Sequence, residues 1–494
     1  AAANKYFGGG YVAGYRRDGK HDFPKLEKPP LDKVEIDASR QSDFAREVVS
    51  MPAGEVEPRF VDPETDYSVA GLVPGRVLYH TTNPLNDLFV LTVSIAKGSD
   101  HDSRLPFAAR LLDLSGLPDM APTDLQKEWY RLGTTFEFVP QEAETRITIS
   151  GLDENLEESL ELMGRVLRLA EADEAALEEL KKIVLDERED LKKDPRSISR
   201  ALVYFNRYGE KSPFLRLPTT EEVEALTREE LYGLINRLLD LEHVIEYAGP
   251  RSPEQVAAAL GEHFPAYGDL RPAPEYVEKP IREVAETEIL FVDQEMAQSQ
   301  VRLESGVGMY EEAEMPEIML FNEYFAGGMG GIVFQELRES RALAYVAGAR
   351  LITADRAEDE NLMVGVIGTQ TDKTIEAVEA FIDLWTNLPE SPERFERAVR
   401  TIDNNYRTSR LSYREVVPVI RSWERLGLEP DPRAARYGAV KERELGDMLD
   451  YHESAVKPAP LLISIVGDKE RIDMKKLEAV GRLATAMGYP MGYA

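Results

Sequence analysis

The stretch FNEYFAGGMGGIVFQELRESRALAY, residues 321–345, is the most informative part of this sequence. It begins as an apolar, helix-like run, and a glycine cluster at 327–331 then releases the backbone. Apolar residues that can pack a short helix follow the glycines: Ile332, Val333, Phe334 and Leu337. The stretch therefore predicts a tight turn between two helical segments, followed by a strand that begins near Tyr345.

A phosphate-binding loop is the alternative interpretation of the glycine cluster. The cluster follows a helix-like run instead of a strand, and it lacks the Lys-Ser/Thr pair that grips phosphate. The sequence also contains no GXSXG motif of the kind that presents a nucleophilic serine. We therefore expect a turn here and no nucleotide site.

Arg338 and Tyr345 are the candidate functional residues of this stretch. The arginine offers a fork of donors for peptide carbonyls or a carboxylate, and the tyrosine offers one hydroxyl on a rigid ring. As residue types alone they carry no special meaning, because a helical arginine is usually a surface charge and a strand tyrosine is usually half-buried. Their role depends on the context of the whole chain.

The same order of predicted elements occurs twice along the chain. Residues 146–163, RITISGLDENLEESLELM, and 363–382, MVGVIGTQTDKTIEAVEAFI, both predict a strand, a glycine turn and an amphipathic helix. A long charged helix follows each, and in the first copy Thr227 and Glu230 then form a capping box. Because strands and helices do not alternate strictly, we predict an α+β fold of two repeated two-layer modules with mostly antiparallel sheets.

These patterns predict three parts. Residues 69–272 form the first module and residues 273–494 the second, which ends in a predicted helix from Asp473 to Leu483. Residues 1–68 form the tail of a preceding module and a linker, with a strand predicted over Tyr11 to Arg17 and a Pro-rich stretch at 21–37. The opening residues lack the apolar segment of a secretion signal, and we expect that the chain is part of something longer.

Composition excludes several classes of function. The formal net charge of -31 argues against nucleic acid or an anionic membrane as a partner, because phosphate binding requires clustered Lys and Arg. The absence of cysteine excludes disulfides, thiolate metal sites and a cysteine nucleophile. No apolar run approaches the ~18 residues of a membrane span.

The histidines do not form a metal motif. They are scattered along the chain at His21, His80, His101, His243, His263 and His452. No two are three or four residues apart, the spacing that puts two ligands on one helix face, so HEXXH and HXXEH are both absent. The alternative is an independent metal site built from distant histidines.

The stretch 321–345 closely resembles the C-terminal-domain signature of the pitrilysin/insulinase-type zinc metallopeptidases, in which a glycine run leads into a pattern like FQELRE…LAY. Weaker matches follow in the family's order: Tyr208-Gly209 before Pro213, Leu226 to Leu231, Glu246 to Gly249, and LLISIVGD at 461–468. Residues 5–33 look like the end of a preceding module and its linker, as in tandem four-module members. The resemblance covers nearly the whole chain and implies a pitrilysin-like metallohydrolase fold.

The resemblance also implies where chemistry is missing and where it is retained. The family's zinc helix corresponds to LPFAARLLDLSG, residues 105–116, which contains no histidine and only Asp113 as an acid. Zinc binding therefore does not transfer to this chain. Arg338 and Tyr345 match the family's Arg–Tyr pair, which reaches from the opposite half and steadies the scissile carbonyl. Gly330-Gly331-Ile332 departs from the pattern, since many relatives carry Ser or Arg there.

The function implied by the resemblance is that of the half of a zinc metallopeptidase that does not bind zinc. Such a half binds an extended peptide and pairs with a zinc-bearing half, supplied as a separate chain or as a missing N-terminal part. The alternative is a catalytically inactive structural or peptide-holding subunit of a larger complex. Bacterial tandem relatives suggest a periplasmic or cell-envelope location by analogy.

Overall fold

The computed structural model describes residues 12, 14–15, 42–52, 54–266, 268–428, 431–457 and 460–484. The chain divides into two compact units, Ala1–Glu55 and Val56–Ala494. In the first unit, the helix Asp43–Ser50 begins at Ser42, whose side chain accepts a hydrogen bond from the Ala45 amide. The strand predicted over Tyr11 to Arg17 lies largely outside the described residues, and the Pro-rich stretch 21–37 lies wholly outside them.

The larger unit contains two six-stranded sheets. The strands of the first sheet are β1 (Ser68–Val73), β2 (Arg76–Thr82), β3 (Leu88–Ile95), β4 (Thr134–Pro140), β5 (Thr145–Leu152) and β6 (His243–Gly249). The strands of the second are β7 (Glu288–Asp293), β8 (Gln298–Met309), β9 (Val346–Ile352), β10 (Glu360–Gln370), β11 (Leu462–Gly467) and β12 (Arg482–Ala484).

Helices connect these strands in both halves of the unit. Those between β3 and β7 are Leu105–Asp113, Pro122–Leu132, Leu156–Leu169, Glu174–Leu191, Pro195–Tyr208, Thr220–Ala225, Arg228–Leu238 and Pro253–His263. Those between β8 and β12 are Met315–Ala326, Thr374–Thr386, Pro392–Thr408, Tyr413–Arg425, Arg433–Glu442, Leu445–Tyr451 and Met474–Val480. The described residues also include the π-helical segments Phe334–Ser340 and His452–Val456 and several short 3-10 turns.

The two sheets repeat one topology. Their strand orders are β1-β2-β6-β3-β5-β4 and β12-β7-β11-β8-β10-β9. One neighbouring pair in each sheet is parallel, β2 with β6 in the first and β7 with β11 in the second. The three pairings that follow it in each order are antiparallel. The first strand differs, because β1 forms an antiparallel hairpin with β2, whereas β12 adds to β7 in parallel. The predicted α+β fold with mostly antiparallel sheets is confirmed, and the module boundaries at 69–272 and 273–494 stay a prediction.

Each sheet buries one face in its own apolar core. In the first core, Leu91 of β3 and Ile149 of β5 pack with Leu160 and Met163 of the helix Leu156–Leu169. These two helix residues belong to the apolar stripe that the sequence predicts. The second core packs strand residues such as Leu303 and Met363 against the helices Met315–Ala326 and Thr374–Thr386.

The opposite faces of the two sheets are covered by an exchange of helices. Ile198 and Leu202 of the helix Pro195–Tyr208 pack on Leu290 and Val466 of the second sheet. The helix Tyr413–Arg425 packs in turn on the first sheet, where Thr81 Oγ1 donates a hydrogen bond to the Tyr413 carbonyl at 2.8 Å. Each half of this unit, the one with the first sheet and the one with the second, thus covers part of the other half's sheet. These two halves of the unit cannot separate without exposing apolar surface.

The end of the described chain corrects one predicted element. A single helix from Asp473 to Leu483 is wrong, because the helix ends at Val480 and Leu483 lies in β12. The Arg482 amide donates to the Thr287 carbonyl at 2.8 Å, and this pairing to the parallel neighbour β7 replaces the last helical turn.

Candidate functional site

The glycine cluster forms the predicted tight turn. The turn Gly328–Gly330 separates the helix Met315–Ala326 from the π-helix Phe334–Ser340. Gly328 has φ 56, in the left-handed region that favours glycine. Gly331 lies so close to the preceding helix that a Cβ there would meet the Ala326 carbonyl carbon at 2.7 Å. Both glycines are therefore required by the backbone path, and no phosphate loop results.

Two anchors hold this turn and the π-helix in place. Ile332, Val333 and Leu337 are buried in the second core, as the sequence predicts. Phe334, which was also expected to pack, is only half-buried. On the other side, Arg394 and Arg397 of the helix Pro392–Thr408 both donate to the Gly330 carbonyl. The backbone of the turn and of the π-helix is therefore held in one position.

Arg338 and Tyr345, separated in sequence, are in contact. The guanidinium carbon of Arg338 lies 5.4 Å from the centre of the Tyr345 ring and 4.9 Å from the centre of the Phe334 ring. Both distances are within the range of cation–π attraction. Arg338 Nε also lies 3.6 Å from Glu339 Oε1, a loose ion pair between two exposed side chains.

The segment between Arg338 and Tyr345 brings the two residues close together. Ala342 has φ 48, an uncommon conformation for a residue with a side chain, and it turns the chain sharply after the π-helix. The Leu343 amide then donates to the Leu337 carbonyl at 2.9 Å, and the Tyr345 amide to the Gly368 carbonyl at 2.8 Å. The backbone of Tyr345 is thus fixed at the start of β9, while its side chain is 69% exposed.

The pair presents hydrogen-bond donors to solvent. Among the described residues, no acceptor hydrogen-bonds to the Tyr345 hydroxyl or to either Nη group of Arg338. The guanidinium fork and the phenol are therefore both available to carbonyl oxygens of a bound chain. Sequence reasoning missed Phe334 as a partner of Arg338, although the spacing of four residues on a helical segment is the signal for such a contact.

The helix Leu105–Asp113, which the resemblance makes the expected counterpart of the family's zinc helix, does not fit a zinc ion. It contains no histidine, and its one carboxylate is that of Asp113, whose pKa burial raises. Within the described residues, no group of three or more His, Asp or Glu side chains is arranged to hold a metal ion. The donor set of this helix therefore supports no step through a metal in this chain.

The described histidines serve the fold. A ring nitrogen lies at 2.7 to 2.9 Å from a backbone carbonyl oxygen in the pairs His80–Arg251, His101–Glu275, His243–Leu241 and His452–Trp385. Burial lowers the pKa of His243 to about 4 and also lowers that of His452. His263 lies 3.3 Å from Glu161 at the surface, and His21 lies outside the described residues.

Residues 225–402 match the family model described as the peptidase M16 inactive domain. The resemblance to the pitrilysin-type family is confirmed. The matched segment includes the glycine turn, Arg338 and Tyr345. A search of curated protein sequences gives no significant match.

Solved structures of the same fold fall into two sizes. The peptidase M16 inactive domain from Pseudomonas fluorescens is 16% identical with a TM-score of 0.67, and the match covers 82% of this chain and 98% of that one. The periplasmic protease PqqL from Escherichia coli is 14% identical with a TM-score of 0.64, over 87% of this chain and 51% of that one. A mutant of the ferredoxin protease FusC, in complex with Arabidopsis ferredoxin, is 11% identical with a TM-score of 0.63, over 85% and 48%.

This chain thus spans about half the length of PqqL and FusC and nearly the full length of the inactive-domain structure. At these identities the comparison establishes the shared fold alone. Among the described residues, every helix is too short or too polar to cross a bilayer.

Proposed function

We propose that this chain is the half of an M16 zinc metallopeptidase that does not bind zinc, and that it binds extended peptide through Arg338 and Tyr345. The observation that carries the proposal is the contact between these two exposed side chains, whose donors lack hydrogen-bond partners among the described residues. Two neighbouring donors at one exposed point suit a peptide carbonyl whose oxygen gains negative charge during cleavage.

The zinc ion and the general base belong to a partner half in this proposal, either a separate chain or an N-terminal part of the same polypeptide. Two facts support a half-sized unit: residues 225–402 match the inactive domain, and the chain matches about half of PqqL and of FusC. The periplasmic description of PqqL likewise suggests an envelope location for this chain.

The test is peptide cleavage by the chain assembled with a zinc-bearing half that co-purifies with it. We expect Arg338→Ala to lower kcat about 100-fold, the scale of losing one oxyanion donor, with little change in Tm. Arg341→Ala is the matched control, because Arg341 is exposed on the same segment but outside the pair. Tyr345→Phe removes the hydroxyl and keeps the ring contact with Arg338.

Unchanged kcat in both Arg338→Ala and Tyr345→Phe would overturn the proposal. Co-purification with a partner that itself lacks HXXEH would instead favour the second candidate, an inactive structural or peptide-holding subunit. Stoichiometric zinc in the isolated chain would contradict both candidates.

A further inference from the structure

The outer edge of β9 is an open edge of the second sheet. Among the described residues, β9 pairs with β10 on one side and with no strand on the other. Such an edge presents a row of backbone N–H and C=O groups with which another chain can pair. Because β9 begins directly after Tyr345, this edge is continuous in the chain with the Arg–Tyr pair.

The backbone of Leu351 shows which residues of β9 point outward. Its amide donates to Asn322 Oδ1 at 2.8 Å, and its carbonyl accepts from Asn322 Nδ2 at 2.9 Å, so neither group pairs with β10. The N–H and C=O groups of one strand residue point to the same side, and successive residues alternate. Ala349 and Ala347 therefore also direct their N–H and C=O groups to the outer edge.

The outward groups of Ala347 and Ala349 are available to a ligand. Within the described part of the chain, no hydrogen bond joins them to a side chain or to another backbone group. Both residues, and Gly348 between them, are only partly buried, so water reaches this part of the strand. Two donors and two acceptors, about 7 Å apart along β9, can thus pair with an added chain.

The first sheet protects its corresponding edge, whereas this stretch of β9 lacks such protection. β4 is the last strand in the order of the first sheet, as β9 is in that of the second. β4 contains the exposed Glu137 and ends at Pro140, and charges and prolines at an edge discourage strand addition. Residues 346–349, Val-Ala-Gly-Ala, include neither. This contrast favours a ligand at the β9 edge.

The length of the open edge fits a short peptide segment. The Asn322 side chain already pairs with Leu351 as a neighbouring strand would, so an added strand cannot continue past Ala349. The part left open, Ala347 to Ala349, is shorter than the about five to six residues of an average strand. A full strand of another domain or of a second copy therefore fits less well than a few residues of extended peptide.

The Arg–Tyr pair lies on the same side of the sheet as the residues of this edge. Alternate strand residues share a face, which places the Tyr345 ring on the face of Ala347 and Ala349. The two alanines have small side chains, so this face stays low next to the edge. A chain that is held at Tyr345 and Arg338 can therefore run on beside Ala347 and Ala349.

We propose that the outer edge of β9 binds the backbone of the peptide held by Arg338 and Tyr345, which adds to the sheet as a short strand. This inference rests on the proposed function and specifies its substrate class. Main-chain hydrogen bonds give such a site its affinity. The substrate is then an extended segment that offers free amide N–H groups at two positions, two residues apart, with little demand on its side chains.

The experiment is an amide-to-ester scan of peptide binding to the intact chain, measured by fluorescence anisotropy. The probe is a fluorescein-labelled peptide of about ten residues with a non-repeating sequence rich in Val and Thr, which favour strands. One backbone N–H at a time is replaced by an ester oxygen. We expect about fivefold weaker binding at two positions, two residues apart, and little change at the position between them.

Ala349→Pro tests the edge from the side of the protein. Because the Ala349 N–H points outward, proline removes this donor and blocks the edge without breaking the pairing of β9 with β10. We expect about tenfold weaker peptide binding and little change in Tm. Gly348→Ala is the matched control, because a Cβ there would meet nothing within 4 Å and the outward backbone groups remain. If the proline variant does not fold, the ester scan of the wild type decides alone.

Arg338→Ala/Tyr345→Phe separates this inference from the proposed function. Unchanged binding in this variant, together with the two-position pattern in the wild type, would mean that the proposed function fails and that the edge binds peptide on its own. Weaker binding in this variant, without the two-position pattern in the wild type, would leave the proposed function in place and refute the edge.

Three results would overturn the inference. One is an ester scan of the wild type in which successive positions are equally sensitive or no position matters. Another is undiminished peptide binding in a folded Ala349→Pro variant. The third is weaker association of that variant with the zinc-bearing half in the absence of peptide, because the edge would then serve the interface with that half.

Discussion

Arg207 Nε donates a hydrogen bond to Glu304 Oε2 at 2.9 Å and pairs the helix Pro195–Tyr208 with β8 of the second sheet. Glu304 is only 1% exposed, so the arginine compensates a buried carboxylate. The exchanged helix Tyr413–Arg425 repeats the arrangement on the first sheet, where Arg421 pairs with the buried Glu246. In both places an arginine of one half neutralises a buried glutamate of the other half's sheet.

The Arg207–Glu304 pair predicts a large loss of stability when one partner is removed. Arg207→Ala leaves an unpaired buried carboxylate, and we expect a loss of about 3 kcal/mol in the free energy of unfolding. Urea denaturation measures this loss. Arg110→Ala is the control, because it breaks the more exposed Arg110–Glu187 pair and should cost much less. Equal losses in the two variants would contradict the buried role of Arg207.

His243 predicts a loss of stability on acidification. The pKa of this buried imidazole is lowered from 6.5 to about 4 by desolvation, so the folded state resists protonation. Above pH 6.5 the histidine is neutral in both states and has no effect. As pH falls from 6.5 towards 4, the unfolded chain takes up the proton first, and folding loses about 2 kcal/mol by pH 5.

Urea denaturation at pH 7.5 and pH 5 checks this sign in the wild type and in His243→Gln. The glutamine variant should lose less stability between the two pH values, whatever its stability at pH 7.5. The many carboxylates contribute equally to both proteins and cancel in the comparison. A pH dependence of the same size in the variant would show that His243 does not titrate as described.

Phe334 is predicted to position Arg338. Its ring lies 4.9 Å from the guanidinium carbon, so Phe334→Ala frees the arginine on one side without removing its charge. We expect peptide binding to weaken about threefold, the scale of an exposed cation–π contact. Phe334→Tyr keeps a ring and should restore binding. Failure of the tyrosine to rescue would indicate a packing defect instead of a positioning role.

Much of the local structure follows from short-range sequence signals. Thr227 and Glu230 form the predicted capping box, with the Thr227 side chain and the Glu230 amide 3.3 Å apart. The glycine cluster forms the predicted turn because the turn requires a left-handed backbone at position 328, which glycine adopts without steric cost. Such features depend on a few neighbouring residues, which the sequence supplies directly. The helix Pro195–Tyr208 was missed, although Asp194 and Pro195 are a helix-start signal.

Sequence patterns alone predict the repeated order of elements, the glycine turn, the absence of an HXXEH helix and the candidate pair Arg338 and Tyr345. The exchange of helices, in which each half lends a helix to the other half's sheet, is visible only in the folded molecule. The reason is physical. Side-chain periodicity fixes which face of an element is apolar, but the partner of that face depends on how distant elements pack.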